Sequence, residues 1–407
     1  MPTVNSKLDE WIDALALIGG SGNQVNRFAW TPELLIASEW LVNRLRELGL
    51  PAEIDAAGNV VGRWLSGEGP AVLVGSHLDT VPDGGRFDGA LGVLSALEAI
   101  RRLQAERFRP SRPLWIAAFN DEEGTRFNTT MFGSGAFVGD DLSGLRDRVG
   151  ADGVPLGAAM QERGFDFDSV PTARAIDSVG CYIELHIEQG PRMEAQGLNT
   201  AVVTGIVGVR GYRVVLRGQT NHAGTTPMEV RRDALAGASR VVLALRDSAL
   251  HAQDITANVG RIDISPGGTN VVPGEAVFLV DVRAADPQRF ASLDSLVREI
   301  VAAAATAERL TAEIDPTHTH PPIMMDTQLQ QLLAKEMTAA ELEWTSMPSG
   351  AGHDAQVLAR HVPTGMLFVP SKNGISHAPE EFTSSEQREA GVAILTRVLR
   401  NLCSEAA

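Results

Sequence analysis

Short continuous apolar runs in the first half of the chain predict buried strands. Three of them are Ala71–Gly75, Leu114–Phe119 and Tyr182–Ile187, and Gly365–Val369 adds a fourth near the C-terminus. Between the first two runs, apolar residues recur at helical spacing over Leu91–Leu103. Strands that alternate with helices form a mainly parallel sheet with helices on both faces. The pattern therefore predicts an α/β domain.

The middle of the chain has a different order of predicted elements. A strand, a helix, two strands, a helix and a last strand follow one another: Tyr212–Leu216, Arg231–Leu250, Ile255–Ile264, Ala276–Arg283, Gln288–Arg309 and Ala312–Asp315. This β-α-β-β-α-β order is the split ferredoxin-like arrangement. We expect a small α+β domain at residues 211–324, inserted into an α/β domain formed by residues 1–210 and 325–407. Gly211 and a linker, His318-Thr319-His320-Pro321-Pro322, fit the two boundaries.

Length, charge and cysteine content narrow the class of protein. The chain has 407 residues, enough for two domains, and its 35 Lys and Arg residues against 51 Asp and Glu residues give a net charge of −16. Such an acidic chain offers no basic surface to a nucleic-acid backbone. Its two cysteines, Cys181 and Cys403, favour a reducing compartment over a disulfide framework.

The N-terminal segment and the lengths of the apolar runs indicate where in the cell the protein is expected. Acidic residues interrupt the apolar stretch of Met1–Gly20, which has no basic region before it, so the segment does not resemble a signal peptide. No apolar run approaches the roughly 18 residues of a membrane-spanning helix. We therefore expect a cytoplasmic protein without a membrane or nucleic-acid partner.

Candidate metal ligands follow the predicted strands at their carboxyl ends, where α/β sheets bind ligands. His77 and Asp79 lie on one side of the first strand's extension, so that Asp79 can accept the second N–H of the imidazole. Asp88 lies among glycines just before a helix, where a helix N-cap is the alternative explanation. His186 lies in the third strand, and His377 follows the fourth.

Three adjacent acids, Asp121, Glu122 and Glu123, follow the second strand. A solvated turn is one explanation, and a cation that relieves their mutual repulsion is the other. In the second case one glutamate is a ligand and the other a general base toward water that the metal activates. Histidine and carboxylate ligands suit Zn, Mn, Co or Ni. One bridging carboxylate would hold two ions about 3.5–4 Å apart.

Seven segments carry a resemblance to a known family: GSHLDTVPDGGRFDGALGV (Gly75–Val93), DEEGTRF (Asp121–Phe127), ELHIEQG (Glu184–Gly190), NHAGTTPMEVRRDA (Asn221–Ala234), GGTNVVPG (Gly267–Gly274), SGAGHDA (Ser349–Ala355) and NGISHAPEE (Asn373–Glu381). Together they resemble the M20 peptidase clan over nearly the whole chain. Within that clan they are most similar to an amidase branch. The branch contains N-carbamoyl-L-amino acid hydrolases, allantoate amidohydrolases and β-ureidopropionases.

The resemblance implies a zinc-peptidase-like catalytic domain with a dinuclear metal centre, and an inserted lid that also forms a homodimer interface. The implied ligands are His77 and His186 for one metal, Glu123 and His377 for the other, and Asp88 as the bridge. Glu122 is implied as the general base, and Asp79 is expected to accept the second N–H of the His77 imidazole. His186 favours the amidase branch, because peptidase relatives more often have a carboxylate there.

Substrate contacts are implied for Gln189, His222, Asn270 and Arg283. In the family the histidine reaches across from the partner subunit to stabilise an oxyanion. Arg283 suits a substrate carboxylate, which it would hold by a bidentate fork. On local grounds alone Arg283 fits a surface salt bridge and Asn270 fits a turn equally well.

The resemblance implies hydrolysis of the carbamoyl C–N bond of N-carbamoyl-L-amino acids to the free amino acid, CO2 and NH3. Allantoate and β-ureidopropionate are alternative substrates, because they also carry a ureido group and a carboxylate. An M20 dipeptidase or aminoacylase is a further alternative. A binding protein that has lost catalysis is disfavoured, because all six positions for metals and base are present.

Overall fold

The computed structural model of this protein describes residues 6–252 and 254–404, so the first five residues of the N-terminal segment lie outside the described residues. In chain order the strands are β1 (Gly20–Ser21), β2 (Gln24–Val25), β3 (Ala52–Ile54), β4 (Val60–Trp64), β5 (Ala71–His77), β6 (Leu114–Phe119), β7 (Val179–Ile187), β8 (Thr200–Ile206), β9 (Gly208–Arg217), β10 (Asn221–His222), β11 (Ile255–Ser265), β12 (Val271–Val272), β13 (Glu275–Ala284), β14 (Thr311–His320), β15 (Ile323–Met324), β16 (Trp344–Ser349) and β17 (Thr364–Val369). The helices are α1 (Leu8–Ala16), α2 (Pro32–Glu47), α3 (Ala90–Ala105), α4 (Phe132–Val138), α5 (Leu156–Glu162), α6 (Arg192–Ala195), α7 (Ala234–Ala252), α8 (Pro287–Glu308), α9 (Thr327–Ala339), α10 (Asp354–Leu358) and α11 (Ser385–Leu402).

The chain forms two compact units. The first unit runs to Thr204 and takes up Met324–Met347 and the residues from Ala351 onward, and the second unit comprises Gly205–Ile323 with Pro348–Gly350. The second unit begins at Gly205, whereas the domain expected from the sequence begins at Gly211. The roles of lid and dimerisation domain stay predictions.

A nine-stranded sheet lies at the centre of the first unit. Its order includes β8-β17-β7-β5-β6-β4-β3, and β15 and β16 adjoin β8. The four strands β17, β7, β5 and β6 pair in parallel, so their carboxyl ends share one edge. Strand β5 extends two residues beyond the predicted run and ends on His77. The predicted mixed α/β fold with a mostly parallel sheet is confirmed.

Helices with extensive buried apolar faces cover this sheet. Helix α3 packs on β5 and β7, and α11 packs on β17 and on α3. Side chains of α3 from Ala90 to Ile100 are buried. Helix α11 begins with a capping box in which Ser384 and Gln387 satisfy each other's backbone N–H groups. These helices hold the strand ends in a rigid frame.

The second unit is a four-stranded antiparallel sheet in the order β11-β13-β9-β14, on which α7 and α8 pack. Alternate residues of β13 are buried, as expected for a sheet that has helices on one face. Asp286 caps α8, and Pro287 occupies its first turn. The order of elements is the predicted β-α-β-β-α-β arrangement, with the two short strands β10 and β12 added.

The predicted linker is wrong in its first half. His318, Thr319 and His320 belong to β14, where they pair with β9, and only Pro321 and Pro322 follow the strand. Pro316 directly follows the predicted run Ala312–Asp315, and β14 continues beyond it to His320. Because β14 lies at the edge of the sheet, the proline is accommodated by a register shift and pairing resumes beyond it.

None of the helices in residues 6–252 and 254–404 combines the length and the apolar character that crossing a membrane requires.

Candidate metal centre and active site

The shared edge of the parallel strands gathers the predicted ligands of the first unit. His77 is the last residue of β5 and pairs in register with Phe119, the last residue of β6. His186 in β7 pairs with Phe368 in β17. The acidic turn after β6 and the loop after β17 therefore start beside the two histidines. His377 belongs to this loop.

Asp88 lies between the three histidines. Its Oδ1 is 3.3 Å from Nε2 of His186 and 3.6 Å from Nε2 of His77. Its Oδ2 is 3.3 Å from Nε2 of His377, which in turn is 3.3 Å from Oε1 of Glu123. One carboxylate thus serves two groups of side chains, one on each oxygen.

These contacts form two of the groups whose ligand atoms lie within 4.8 Å of one another. They are His77, Asp88 and His186, and Asp88, Glu123 and His377. Asp88 is common to both, as the family pattern implies for a bridging ligand. Nitrogen and carboxylate donors suit a divalent transition metal. The structure brings the five predicted ligands together, and their binding of metal stays a prediction.

Backbone carbonyls fix the orientation of two imidazoles. Nδ1 of His77 lies 3.1 Å from the carbonyl oxygen of Asp79, and Nδ1 of His186 lies 3.0 Å from that of Ile187. A carbonyl oxygen accepts only, so each Nδ1 carries a proton. Nε2 of His77 faces Asp88, and Nε2 of His186 accepts the backbone N–H of Gly89 at 3.2 Å. Gly89 makes room for this arrangement, because its φ is +61° and a Cβ there would lie 2.4 Å from the His77 ring.

Asp79 differs from the sequence expectation in its main contacts. Its carboxylate is 3.6 Å from Nδ1 of His77, beyond hydrogen-bond distance. The backbone carbonyl of Asp79, not its carboxylate, accepts the Nδ1–H of His77. The carboxylate instead accepts the backbone N–H groups of Glu122 at 3.2 Å and of Glu123 at 3.0 Å. Asp79 therefore positions the pair of glutamates as well as lying beside His77.

Of the three adjacent acids, Glu122 faces the histidines and Asp121 does not form part of the cluster. Glu122 is buried, and its Oε2 lies 3.9 Å from Nε2 of His77. Burial raises the pKa of Glu122 well above its ordinary value. Asp121 instead accepts a hydrogen bond from Thr129 at 2.5 Å, and burial raises its pKa to about 8. The solvated-turn explanation is wrong for Glu122 and Asp121, because both side chains are buried.

The carboxylates of the cluster raise the pKa values of two of its histidines. Burial lowers the pKa of His77, but Glu122, Asp79 and Asp88 outweigh it and raise that pKa well above its ordinary value. Hydrogen bonds to Asp88 and Glu123 raise the pKa of His377 to about 10. Metal binding releases such protons, because ligands must be deprotonated. Divalent cations would offset the negative charge of the carboxylates, and the nitrogen and carboxylate donors fit them.

Gln189 lies at the mouth of the cluster. Its Nε2 donates to Oδ2 of Asp88 at 2.8 Å and lies 3.4 Å from Nε2 of His377. A cavity of about 150 Å³ opens here, and it is also lined by Met131 and Gly352. The cavity gives a small molecule access to the predicted ligands.

The three predicted substrate contacts of the inserted region lie in the second unit. The carbonyl oxygen of Asn270 accepts the N–H of Ala223 at 2.9 Å, which places Asn270 beside His222. Nδ1 of His222 accepts the N–H of Gly224 at 3.1 Å. The proton of a neutral His222 is therefore on Nε2, which is free to donate.

Arg283 forms the salt bridge that was one of its two explanations. Its Nε and Nη2 donate to the two carboxylate oxygens of Asp281 at 2.8 and 3.3 Å, and Nη1 donates to the carbonyl oxygen of Gly350 at 3.1 Å. A guanidinium has five N–H donors, so two remain for another acceptor. The geometry is compatible with both explanations.

Sequence reasoning gave no role to three buried polar residues. Glu184 accepts hydrogen bonds from Ser76 at 2.8 Å and from the N–H of Ala355 at 2.9 Å. Arg27 donates to the carbonyl oxygen of Leu78 at 2.7 Å. Glu381 bonds the Asp88 loop, and burial together with the charge of Asp88 raises its pKa to about 7. Glu184 and Glu381 both lie within the segments that resemble the family, so the resemblance could have identified them as candidate residues of the site.

His353 lies beside one of the predicted ligands, His186. Its ring centroid lies 4.4 Å from that of His186, edge to face. Burial and the neighbouring His186 lower the pKa of His353 well below its ordinary value. A neutral His353 thus packs against a predicted ligand.

Comparison with known proteins defines the class of this site. A profile of peptidase family M20/M25/M40 matches residues 73–401. The chain is 36% identical to the allantoate amidohydrolase of Bacillus subtilis, with 98% of each chain covered. It is 35% identical to the N-carbamoyl-L-amino-acid amidohydrolase of Paenarthrobacter aurescens, with 97% of each chain covered.

A solved structure supports the same family assignment. A hydantoinase/carbamoylase family amidase from Burkholderia multivorans superimposes with a TM-score of 0.91 at 35% identity, with 98% of each chain covered. The family and the fold are those of a hydrolytic enzyme of the amidohydrolase group. The chain belongs to peptidase family M20/M25/M40. The resemblance to the amidase branch of that family is confirmed.

Proposed function

We propose that the protein hydrolyses the carbamoyl C–N bond of N-carbamoyl-L-amino acids and releases the free amino acid, CO2 and NH3. The observation that carries the proposal is the position of Asp88 between His186 and His377, with Glu122 beside His77. Similarity to an enzyme named N-carbamoyl-L-amino-acid amidohydrolase supports the choice of substrate.

Two divalent ions per chain, of Mn, Co, Ni or Zn, are part of the proposal. One would be held by His77, His186 and Asp88, and the other by Asp88, Glu123 and His377. When bound, such ions polarise a carbonyl group and make water more acidic. The divided contacts of Asp88 support a shared ligand.

The residues of the chain have distinct tasks in the proposed reaction. Glu122 takes a proton from the attacking water and later gives it to the departing amine nitrogen. Asp79 holds Glu122 in place through its backbone N–H. His222 donates from Nε2 to the oxygen that gains negative charge. The carbamic acid that leaves then breaks down to CO2 and NH3.

Substrate binding is proposed for Gln189, Asn270 and Arg283. The two unused N–H donors of Arg283 suit the substrate carboxylate, and Asp281 holds the guanidinium in a fixed orientation. The second unit would act as a lid and as the interface of a homodimer, with His222 serving the partner subunit. Exposed apolar side chains of α7, Leu243 and Leu250, support the interface. The two cysteines, both free and buried, support a reducing cytoplasmic compartment.

Allantoate is the second candidate substrate. Similarity to an enzyme named allantoate amidohydrolase favours it, and allantoate offers the same ureido and carboxylate groups. The segments Asn120–Phe127 and Met131–Gly135 look more like the carbamoylase group, which is why we prefer N-carbamoyl amino acids.

A substrate panel tests the proposal. The protein is loaded with Mn, Co, Ni or Zn, and ammonia and free amine are measured with N-carbamoyl-L-methionine, its D enantiomer, N-carbamoyl-β-alanine, allantoate and a dipeptide. We expect the highest kcat/KM with N-carbamoyl-L-methionine and a kcat about 10²- to 10⁴-fold lower in the Glu122→Gln variant. A higher kcat/KM with allantoate would replace the first candidate by the second. Hydrolysis of the dipeptide alone would contradict both.

A further inference from the structure

Glu381 forms hydrogen bonds to the loop that carries Asp88. Its Oε1 accepts the backbone N–H groups of Phe87 at 2.9 Å and of Asp88 at 3.0 Å. Its Oε2 accepts the hydroxyl of Ser376 at 3.0 Å. Glu381 is only 4% exposed, so these bonds form away from competing water.

Ser376 links Glu381 to the side chain of Asp88. Its hydroxyl lies 2.8 Å from Oδ2 of Asp88 and 3.0 Å from Oε2 of Glu381. Oδ2 is also the oxygen that lies beside His377. The hydroxyl has one proton and can donate it to only one of these two carboxylates at a time, so Glu381 holds Asp88 chiefly through the backbone N–H bonds.

The sequence has made room for this glutamate at Gly85. A Cβ added at Gly85 would lie 2.4 Å from Oε1 of Glu381 and 2.5 Å from its Cβ. Both distances are shorter than real side chains tolerate, so an alanine at this position would displace Glu381. The three heavy atoms nearest to that Cβ all belong to Glu381.

We propose that Glu381 is a positioning residue that fixes Asp88 in the orientation needed to serve both metal positions. The proposal rests on the metal centre of the proposed function and does not depend on its substrate. A ligand shared by two ions must direct each oxygen toward a different ion, so a rotation of its carboxylate weakens both positions together. Groups that orient metal ligands typically contribute about 10- to 100-fold to metal affinity.

Metal affinity is the measurement that tests the proposal. Binding of Mn²⁺ and Co²⁺ to the metal-free full chain is followed by calorimetry in the parent protein and in the variants Glu381→Ala, Glu381→Gln and Gly85→Ala. We expect Glu381→Ala to weaken binding at both positions about 10- to 100-fold. Glu381→Gln keeps an oxygen for the two N–H groups and should restore most of the affinity. Gly85→Ala should resemble Glu381→Ala, and the double variant should be no worse than either, because both remove one contact.

Asp326 supplies a matched control. Its Oδ1 accepts two neighbouring backbone N–H groups, of Gln328 and Leu329, both at 2.9 Å, at the start of α9. Asp326→Ala removes the same kind of bonds and should lower thermal stability without a change in metal affinity. Unchanged affinity in folded Glu381→Ala and Gly85→Ala would overturn the proposal, and so would a loss confined to one position.

The outcome is separable from that of the proposed function. A parent protein that binds two metals but hydrolyses no ureido acid would contradict the function and leave this test intact. If Glu381→Ala does not fold, Gly85→Ala and Glu381→Gln decide the matter. Equal affinities in those two variants would contradict the proposal, because only the alanine at position 85 displaces the glutamate.

Discussion

The carboxylate of Asp88 lies between two histidines, His186 in β7 and His377 in the loop after β17. His377 is the more exposed of the two. Oδ2 of Asp88 lies 3.3 Å from Nε2 of His377, while Oδ1 lies 3.3 Å from Nε2 of His186. The side chain of His377 is 45% exposed and that of His186 is 1% exposed. The two proposed metal positions, which would share Asp88, therefore differ in solvent access.

Replacement of the shared ligand tests this arrangement. Asp88→Asn loses the charge that both positions use, so we expect metal content after dialysis to fall at both. The measurement is elemental analysis of the dialysed protein, with Asp326→Asn as a control that keeps its cap. Full metal content in folded Asp88→Asn would show that Asp88 is not a bridging ligand.

The two adjacent glutamates are expected to separate chemistry from metal binding. Glu122→Gln removes the proposed base but no proposed ligand, so kcat should fall about 10²- to 10⁴-fold while metal content is kept. Glu123→Gln should instead weaken metal binding, because its Oε1 is 3.3 Å from His377. Steady-state kinetics and elemental analysis of both variants distinguish the roles. Normal turnover in Glu122→Gln would exclude it as the base.

The strand ends of the site were predictable because their signals are local. An apolar run predicts a parallel strand, and parallel strands end at one edge, so His77 and His186 were expected to meet. The same reasoning underestimated the length of β14, because a proline inside an edge strand resembles the end of a strand in the sequence pattern. Local patterns thus located elements and residue types, but not exact bounds.

Contacts between distant segments were not predictable in the same way. Glu381 accepts N–H groups from Phe87 and Asp88, and no periodicity connects the two segments. Asp79 was expected to bond an imidazole, yet its carboxylate accepts two backbone N–H groups that a turn presents to it. Such hydrogen bonds depend on loop conformations that the sequence pattern does not specify.

Arg283 is expected to contribute to substrate binding through the substrate carboxylate. Arg283→Ala should lower kcat/KM for N-carbamoyl-L-methionine about 10- to 100-fold, the range of a hydrogen bond to a charged group. The loss should disappear with the corresponding amide, which has no carboxylate. Arg217→Ala is the matched control, since Arg217 also pairs with acids in the same sheet and its side chain is 44% exposed against 39% for Arg283. Equal losses with acid and amide would remove Arg283 from carboxylate recognition.

The two thiols should be unreactive in the folded protein. Burial raises the pKa of Cys181 to about 11 and that of Cys403 to about 12, and both side chains are buried. At pH 8 a thiol of pKa 11 is about one part in a thousand thiolate, and the thiolate is the reactive form. A colorimetric thiol reagent at pH 8 should therefore react slowly with the native protein and rapidly with two thiols per chain after denaturation. Raising the pH should speed the native reaction only as the fold opens, because exposure as well as ionisation limits it. Rapid reaction of either cysteine in the native protein at pH 8 would contradict the burial, and fewer than two thiols after denaturation without reductant would contradict the free state of the cysteines.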